Sequence, residues 1–199
     1  MLTKEQLLEP LSVLRKDAVV VTTMGMVRPW ARYSTSELDF ASADSAMGHA
    51  ADLALGIALA RPQRKVICLN GDGSMLMSLG TLVTVAQSAA PNFILFVIEN
   101  STYEITGNQP VPGAGFVDYA AIARGAGFRR TFTFDDPQSY AEQLAAVLES
   151  QGPTLVVVRV EPGNESALAR GPQQEAHYLK VSLAESAHQL RDVLMAKPA

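Results

Sequence analysis

Four runs of this sequence are too apolar to face water on either side. "AVVVTT" (18–23), "KVICLN" (65–70), "NFILFVIEN" (92–100) and "TLVVVRV" (154–160) are strand-length and largely lack the alternation of a half-exposed sheet. Such strands need cover on both faces. Stretches with helical character lie between and before them, at 3–16, 47–60, 75–90, 118–125 and 137–149. Asp136-Pro137 reads as an N-cap followed by a first-turn proline, while Pro10 is expected to shorten or kink the first helix. Two less apolar strands are read at 37–42 and 128–134. Strands alternating with helices imply parallel βαβ units, and so an α/β fold: a doubly wound, mainly parallel sheet with helices on both faces.

The first strand is expected to run into a turn around Gly25, and 101–115 to form a long loop. Residues 161–175 read as an exit loop and 176–195 as a C-terminal helix. The expected organisation is one α/β domain over 1–175, with a helical extension over 176–199 packed on it.

Charge and cysteine content exclude several function classes. The formal net charge is −4 and no basic cluster interleaved with aromatics occurs, which argues against nucleic acid and anionic membranes. Cys68 is the only cysteine, so neither an internal disulfide nor a cysteine-ligated iron–sulfur site can form. Its place inside an apolar run reads as a small buried hydrophobe. The N-terminal segment lacks a secretory apolar core, and no stretch approaches the roughly 18 apolar residues of a membrane span. A soluble, cytoplasmic protein is expected.

The chemistry is concentrated where the strand 65–70 ends. Gly71-Asp72-Gly73-Ser74 would lie at the carboxyl edge of a parallel sheet, where α/β folds bind ligands. The glycines allow close backbone approach, and Ser74 with free helix N–H groups can donate to phosphate oxygens. A dinucleotide fingerprint would need glycine at 76, where Leu76 stands, and Glu99 lies further on than the usual ribose-binding acid. A Gly-Lys-Ser/Thr phosphate loop is absent. Asp72 beside a diphosphate would cost about 1–4 kcal/mol in repulsion. A divalent cation between them turns that repulsion into attraction, so Asp72 implies a metal, with Mg²⁺ the natural choice. The alternative is that Asp72 only caps a helix. Further oxygen ligands should come from the neighbouring strand end, about 4.8 Å away, where Asn100 offers an amide oxygen and Thr102 a carbonyl.

Gly71-Asp72-Gly73, 26 residues and then Asn100 resembles the signature of thiamine diphosphate-dependent enzymes. "VVVTTMG" (19–25), "SAMGHAADLALGIALARP" (45–62), "NSTYEITGNQP" (100–110) and "VRVEPGNESALARGP" (158–172) resemble the diphosphate-binding half of phosphonopyruvate and sulfopyruvate decarboxylases. The resemblance implies the thiamine diphosphate-binding fold, with Mg²⁺ held by Asp72, the Asn100 side chain and the Thr102 carbonyl. It implies that Gly71, Gly73, Ser74 and Thr23 border the diphosphate, with Tyr103 packed against it. Met47 would wedge under the cofactor and the Ser45 carbonyl would accept from its aminopyrimidine, although a methionine at a helix start can equally be core. His49 would face the substrate or sit satisfied on its helix; Arg28 and Arg32 would meet an anionic substrate or remain solvated; His177 and His188 read as surface residues.

In this family the cofactor's thiazolium acts as nucleophile and electron sink toward a 2-oxo acid. Its activation needs a glutamate from a separate pyrimidine-binding domain, and neither Glu37 nor Glu104 lies in a matching segment. The implied protein is therefore the diphosphate-binding subunit of a split decarboxylase, partnered by a pyrimidine-binding alpha subunit in a hetero-oligomer, or a homo-oligomer. An acetolactate synthase-like carboligase subunit and a non-catalytic cofactor-binding module are the alternatives. A 2-oxo acid oxidoreductase β subunit is disfavoured by the single cysteine.

Overall fold

A computed structural model describes residues 1–41 and 47–196. The four apolar runs form strands, as their composition demands: β1 (Val19–Thr22), β3 (Val66–Gly71), β4 (Phe93–Glu99) and β8 (Thr154–Arg159), with β2 (Asp39–Ala41) and β7 (Arg130–Phe134) at the edges. Among the described residues they make one six-stranded sheet, ordered β2-β1-β3-β4-β8-β7, with every pair parallel. The sheet is thus wholly parallel, within the expected mainly parallel α/β class. Register pairs such as Cys68 with Leu95 and Leu95 with Leu155 keep one apolar row continuous across its centre.

The continuous apolar character follows from helices on both faces. α1 (Lys4–Leu14), α2 (Met24–Ala31) and α7 (Pro137–Glu149) cover one face, with Leu7, Leu11, Trp30, Tyr140 and Leu144 packed on Val20, Ile67, Phe96 and Val156. α3 (Ala50–Ala60), α5 (Thr81–Ser88), α6 (Tyr119–Ala126) and α8 (Leu183–Ala196) cover the other, over Val21, Cys68, Leu95 and Val157. Cys68 is fully buried, and burial pushes its thiol well above the usual range. The small residues of α3 (Ala50, Ala51, Ala54, Ala58) let it lie close on the sheet. Right-handed crossovers require the chain to wind from β1 to β2 through α2 and then reverse through α3 to β3. The strand order therefore switches direction between β1 and β3, which opens a crevice at their carboxyl ends.

Several local expectations change. No simple turn follows β1: Met24 to Ala31 form α2, because burial of Met26, Val27 and Trp30 outweighs the one backbone bond that Pro29 removes. α1 runs through Pro10 without ending there. The helix expected from 47 starts at Ala50, after Gly48 has turned the chain with φ +86°. The stretch 75–90 divides into α4 (Asp72–Met77) and α5, with a break at Ser78–Gly80, where the Ser78 hydroxyl donates to the Gly48 carbonyl. Loop 101–115 contains a two-residue hairpin, β5 (Thr102–Tyr103) with β6 (Gln109–Pro110). The C-terminal segment is a 3-10 turn at His177–Leu179 followed by α8. His177 is half-buried rather than on the surface, its ring edge-on to Tyr178 with the ring centres 4.7 Å apart, and burial lowers its proton affinity. No helix among the described residues is long and apolar enough to cross a membrane.

Candidate active site

The crevice between β1 and β3 is an open cleft of about 620 Å³, counting its mouth. Thr23, Met47, Gly71, Asp72, Gly73, Ser74, Asn100, Thr102 and Tyr103, all singled out from sequence, line it together. Ser45 lies outside the described residues. His49 is not part of the lining. Its side chain is mostly exposed, with Nδ1 2.6 Å from Asp52 Oδ2.

Asp72 is 3% exposed. Its Oδ1 accepts from the Gly73 N–H at 2.8 Å and its Oδ2 from the Ser101 N–H at 2.7 Å. The Ser101 bond ties the end of β3 to the loop after β4. No ion pair to Asp72 is formed by any lysine, arginine or histidine among the described residues. Desolvation pushes its carboxyl up to about 6, reinforced by Glu99, although the two backbone N–H bonds oppose the rise. Capping alone does not account for the Asp72 side chain: Gly71 occupies the N-cap position, and while Oδ1 takes the Gly73 N–H of the first turn of α4, Oδ2 reaches out of the helix to Ser101. A buried carboxylate that opens on a cleft without a cation of its own suits a divalent ion. The chemistry of the donor set agrees: Asp72 carboxylate, Asn100 amide and Thr102 carbonyl are all oxygen donors.

The glycines serve different ends. A Cβ on Gly73 would lie 2.4 Å from Tyr103 Cε1, so the ring can cover the turn only because residue 73 has no side chain. At Gly71 a Cβ would meet only Thr23 Cγ2, at 3.9 Å, and φ is −84°. Neither backbone conformation nor packing against the described residues requires glycine there. The open space beside it suits a ligand that comes close to the backbone.

Ser74 Oγ, 3.1 Å from the Gly48 N and 3.3 Å from the Thr23 hydroxyl, joins three segments at the cleft floor. Met47, 40% exposed, stands on the cleft rather than in the core. Arg28 donates to the Ser166 carbonyl at 2.8 Å, and Arg32 to Glu165 at 3.0 Å. Both tie the exit loop to α2 while remaining at the surface, Arg32 with 59% of its side chain exposed. Glu104, which sequence reasoning set aside, is buried at the cleft wall and accepts from Lys4, Asn100 and the Glu165 backbone. Its four-residue spacing from Asn100 was the available signal. The partner Lys4, 100 residues away, was not visible as such.

Residues 18–158 match the family model described as the thiamine pyrophosphate enzyme C-terminal TPP binding domain. The chain belongs to this family. It is 35% identical to the phosphonopyruvate decarboxylase of Streptomyces viridochromogenes over 190 residues, 95% of this chain and 45% of that protein. It is 39% identical to the sulfopyruvate decarboxylase subunit beta of Methanothermobacter thermautotrophicus over 118 residues, 59% of this chain and 60% of that one. The chain thus spans about half the length of these relatives. Among solved structures, the thiamine diphosphate-dependent 4-hydroxybenzoylformate decarboxylase of Rhodococcus jostii superposes with a TM-score of 0.68 at 22% identity, over 82% of this chain and 33% of that one, a likeness of fold.

Proposed function

We propose that the chain is the diphosphate- and magnesium-binding subunit of a thiamine diphosphate-dependent 2-oxo acid decarboxylase. The observation that carries this reading is Asp72: a buried carboxylate at the switch point of a parallel sheet, set between glycines and lacking a cation of its own. Asp72, Asn100 Oδ1 and the Thr102 carbonyl would hold Mg²⁺. Gly73, Ser74 and Thr23 would hold the diphosphate oxygens, with Gly71 leaving them room and Tyr103 flanking them. Met47 would prop the two rings, and the Ser45 carbonyl would accept from the aminopyrimidine. When bound, thiamine diphosphate supplies the nucleophilic carbon and the electron sink for loss of CO₂ from a 2-oxo acid. The side chains of Met24, Met26, Ile98 and Ile105 give the cleft an apolar wall that limits water around the reacting groups.

A partner chain is part of the proposal. Glu104 is the only glutamate lining the cleft among the described residues, and Lys4 and Asn100 already occupy it. The glutamate that activates the aminopyrimidine would therefore come from a pyrimidine-binding subunit, in a hetero-oligomer in the cytoplasm. Relatives named as beta subunits support this arrangement.

The test is co-purification with the native partner, followed by a screen of phosphono-, sulfo- and alkyl-substituted 2-oxo acids with thiamine diphosphate and Mg²⁺. The pair should release CO₂ and the lone chain should not. Robust turnover by the lone chain would remove the partner from the proposal. Products joined by a new carbon–carbon bond would make the enzyme a carboligase. Absence of any cofactor binding in calorimetry, with partner and saturating magnesium present, would overturn the whole reading.

A further inference from the structure

Asn100 has a side chain with two unlike ends, and only one of them can serve a cation. Which end faces the cleft is decided by its neighbours. The Thr102 N–H lies 3.1 Å from Oδ1, and Glu104 Oε2 accepts from Nδ2 at 2.9 Å. Glu104 is itself held firmly. Its other oxygen, Oε1, accepts from Lys4 Nζ at 2.5 Å and from the Glu165 N–H at 3.0 Å, and its side chain is 3% exposed. Gly163 leaves room for this pair, since a Cβ there would lie 2.4 Å from Glu104 Oε1 and 2.7 Å from Lys4 Nζ and would displace them. Lys4 is brought to the cleft by Leu2, which bridges in parallel to Val160 beside the end of β8. Three separated segments therefore converge on one carboxylate, whose remaining oxygen points at the Asn100 amide.

We infer that Glu104 is a positioning residue: it fixes the orientation of the Asn100 amide, so that Oδ1 and not Nδ2 is available to the metal. This rests on the proposed function of the cleft. An amide at position 104 could not do the same work. Its oxygen would be claimed by the two donors on the Lys4 side, which leaves its NH₂ group facing the NH₂ of Asn100. The conflict is relieved by turning Asn100 over or by pulling the two side chains apart, and either spoils the oxygen ligand.

The test uses the full chain, alone or with its co-purified partner, whichever state binds. Mn²⁺ is the probe, with thiamine diphosphate present, and free Mn²⁺ is read by electron paramagnetic resonance. Glu104→Gln should weaken Mn²⁺ binding about 10- to 100-fold, the usual effect of losing a group that orients a ligand. Adding Asn100→Asp to Glu104→Gln should recover most of that affinity, because the new amide at 104 donates to the new carboxylate at 100 and leaves its second oxygen for the ion. The single Asn100→Asp variant, which sets two carboxylates against each other, should show no comparable gain, whereas a merely structural role of Glu104 predicts the same gain from Asn100→Asp in both backgrounds. Unchanged Mn²⁺ affinity in Glu104→Gln, or a double variant no better than Glu104→Gln alone, would overturn the inference while leaving the cleft's function intact. Failure of the unaltered chain to take up Mn²⁺ with thiamine diphosphate would instead overturn the reading of the cleft, and this inference with it.

Discussion

Asp39 and Asp72 are equally buried, at 3% exposure each, yet they have opposite surroundings. Asp39, on β2, is paired within the chain: Arg15 donates to its Oδ1, and the Ser34 hydroxyl donates to its Oδ2 at 2.5 Å. Arg15 is itself buried, donates also to the Ala18 carbonyl and lies over the Trp30 ring. That carboxylate is satisfied, and its role ends with holding α1 to the sheet edge. Asp72 receives two backbone N–H groups and, among the described residues, no cationic side chain. Burial alone therefore does not mark a functional acid. The informative feature is a buried carboxyl group for which the described residues supply no counter-ion, at a place open to solvent.

The two acids should respond in opposite directions to neutralisation. Asp39→Ala leaves the Arg15 guanidinium buried and unpaired, and should lower unfolding free energy in urea by about 3–5 kcal/mol. A small change would mean that Arg15 finds another partner. Asp72 should act the other way in the metal-free chain. Its folded value, about 6, is raised above the ordinary 3.8, so the folded state holds the proton more tightly. The penalty is absent below about pH 4 and complete above about pH 6, where it amounts to roughly 3 kcal/mol. Metal-free Asp72→Asn should lack this loss between pH 4 and 6. At pH 7 it should match or exceed the parent in stability, while thiamine diphosphate with Mg²⁺ should raise the melting temperature of the parent only. A variant with the parent's pH profile would show that Asp72 does not carry the strain.

Gly73→Ala probes the cover over that charge. The added methyl group displaces the Tyr103 ring and should cost about 1–3 kcal/mol in urea unfolding. Adding Tyr103→Ala should remove much of the steric part, and no relief would place the clash elsewhere. The smallest effect is expected from Arg32→Ala, whose partner Glu165 is reached across an exposed edge. Stability should change by less than about 1 kcal/mol, with magnesium-dependent cofactor binding unaltered in calorimetry.

The sheet was legible because its composition has few alternatives: runs like "NFILFVIEN" cannot be half-exposed. The Gly71–Ser74 turn and Asn100 were legible because their spacing places them on adjacent strand ends, where they line one cleft. Elements whose signals conflict were not. Gly25 and Pro29 conceal α2, whose stability comes from packing Trp30 and Met26. The apolar spacing through 75–90 hides the break at Ser78–Gly80 that separates α4 from α5. Glu104 was unreadable as a buried group because the residues that neutralise and enclose it, Lys4 and the 163–165 segment, are remote in sequence.

That remoteness affects the order of assembly during synthesis. Asn100 and Glu104 emerge from the ribosome well before Val160, which seats Leu2, and before the Glu165 N–H that completes the carboxylate's set of donors. A nascent chain can pair β1, β3 and β4 while this corner is still unformed. The corner closes only once β8 has been made and inserted, so a chain truncated before residue 160 would form most of the sheet without the fastening beside the cleft.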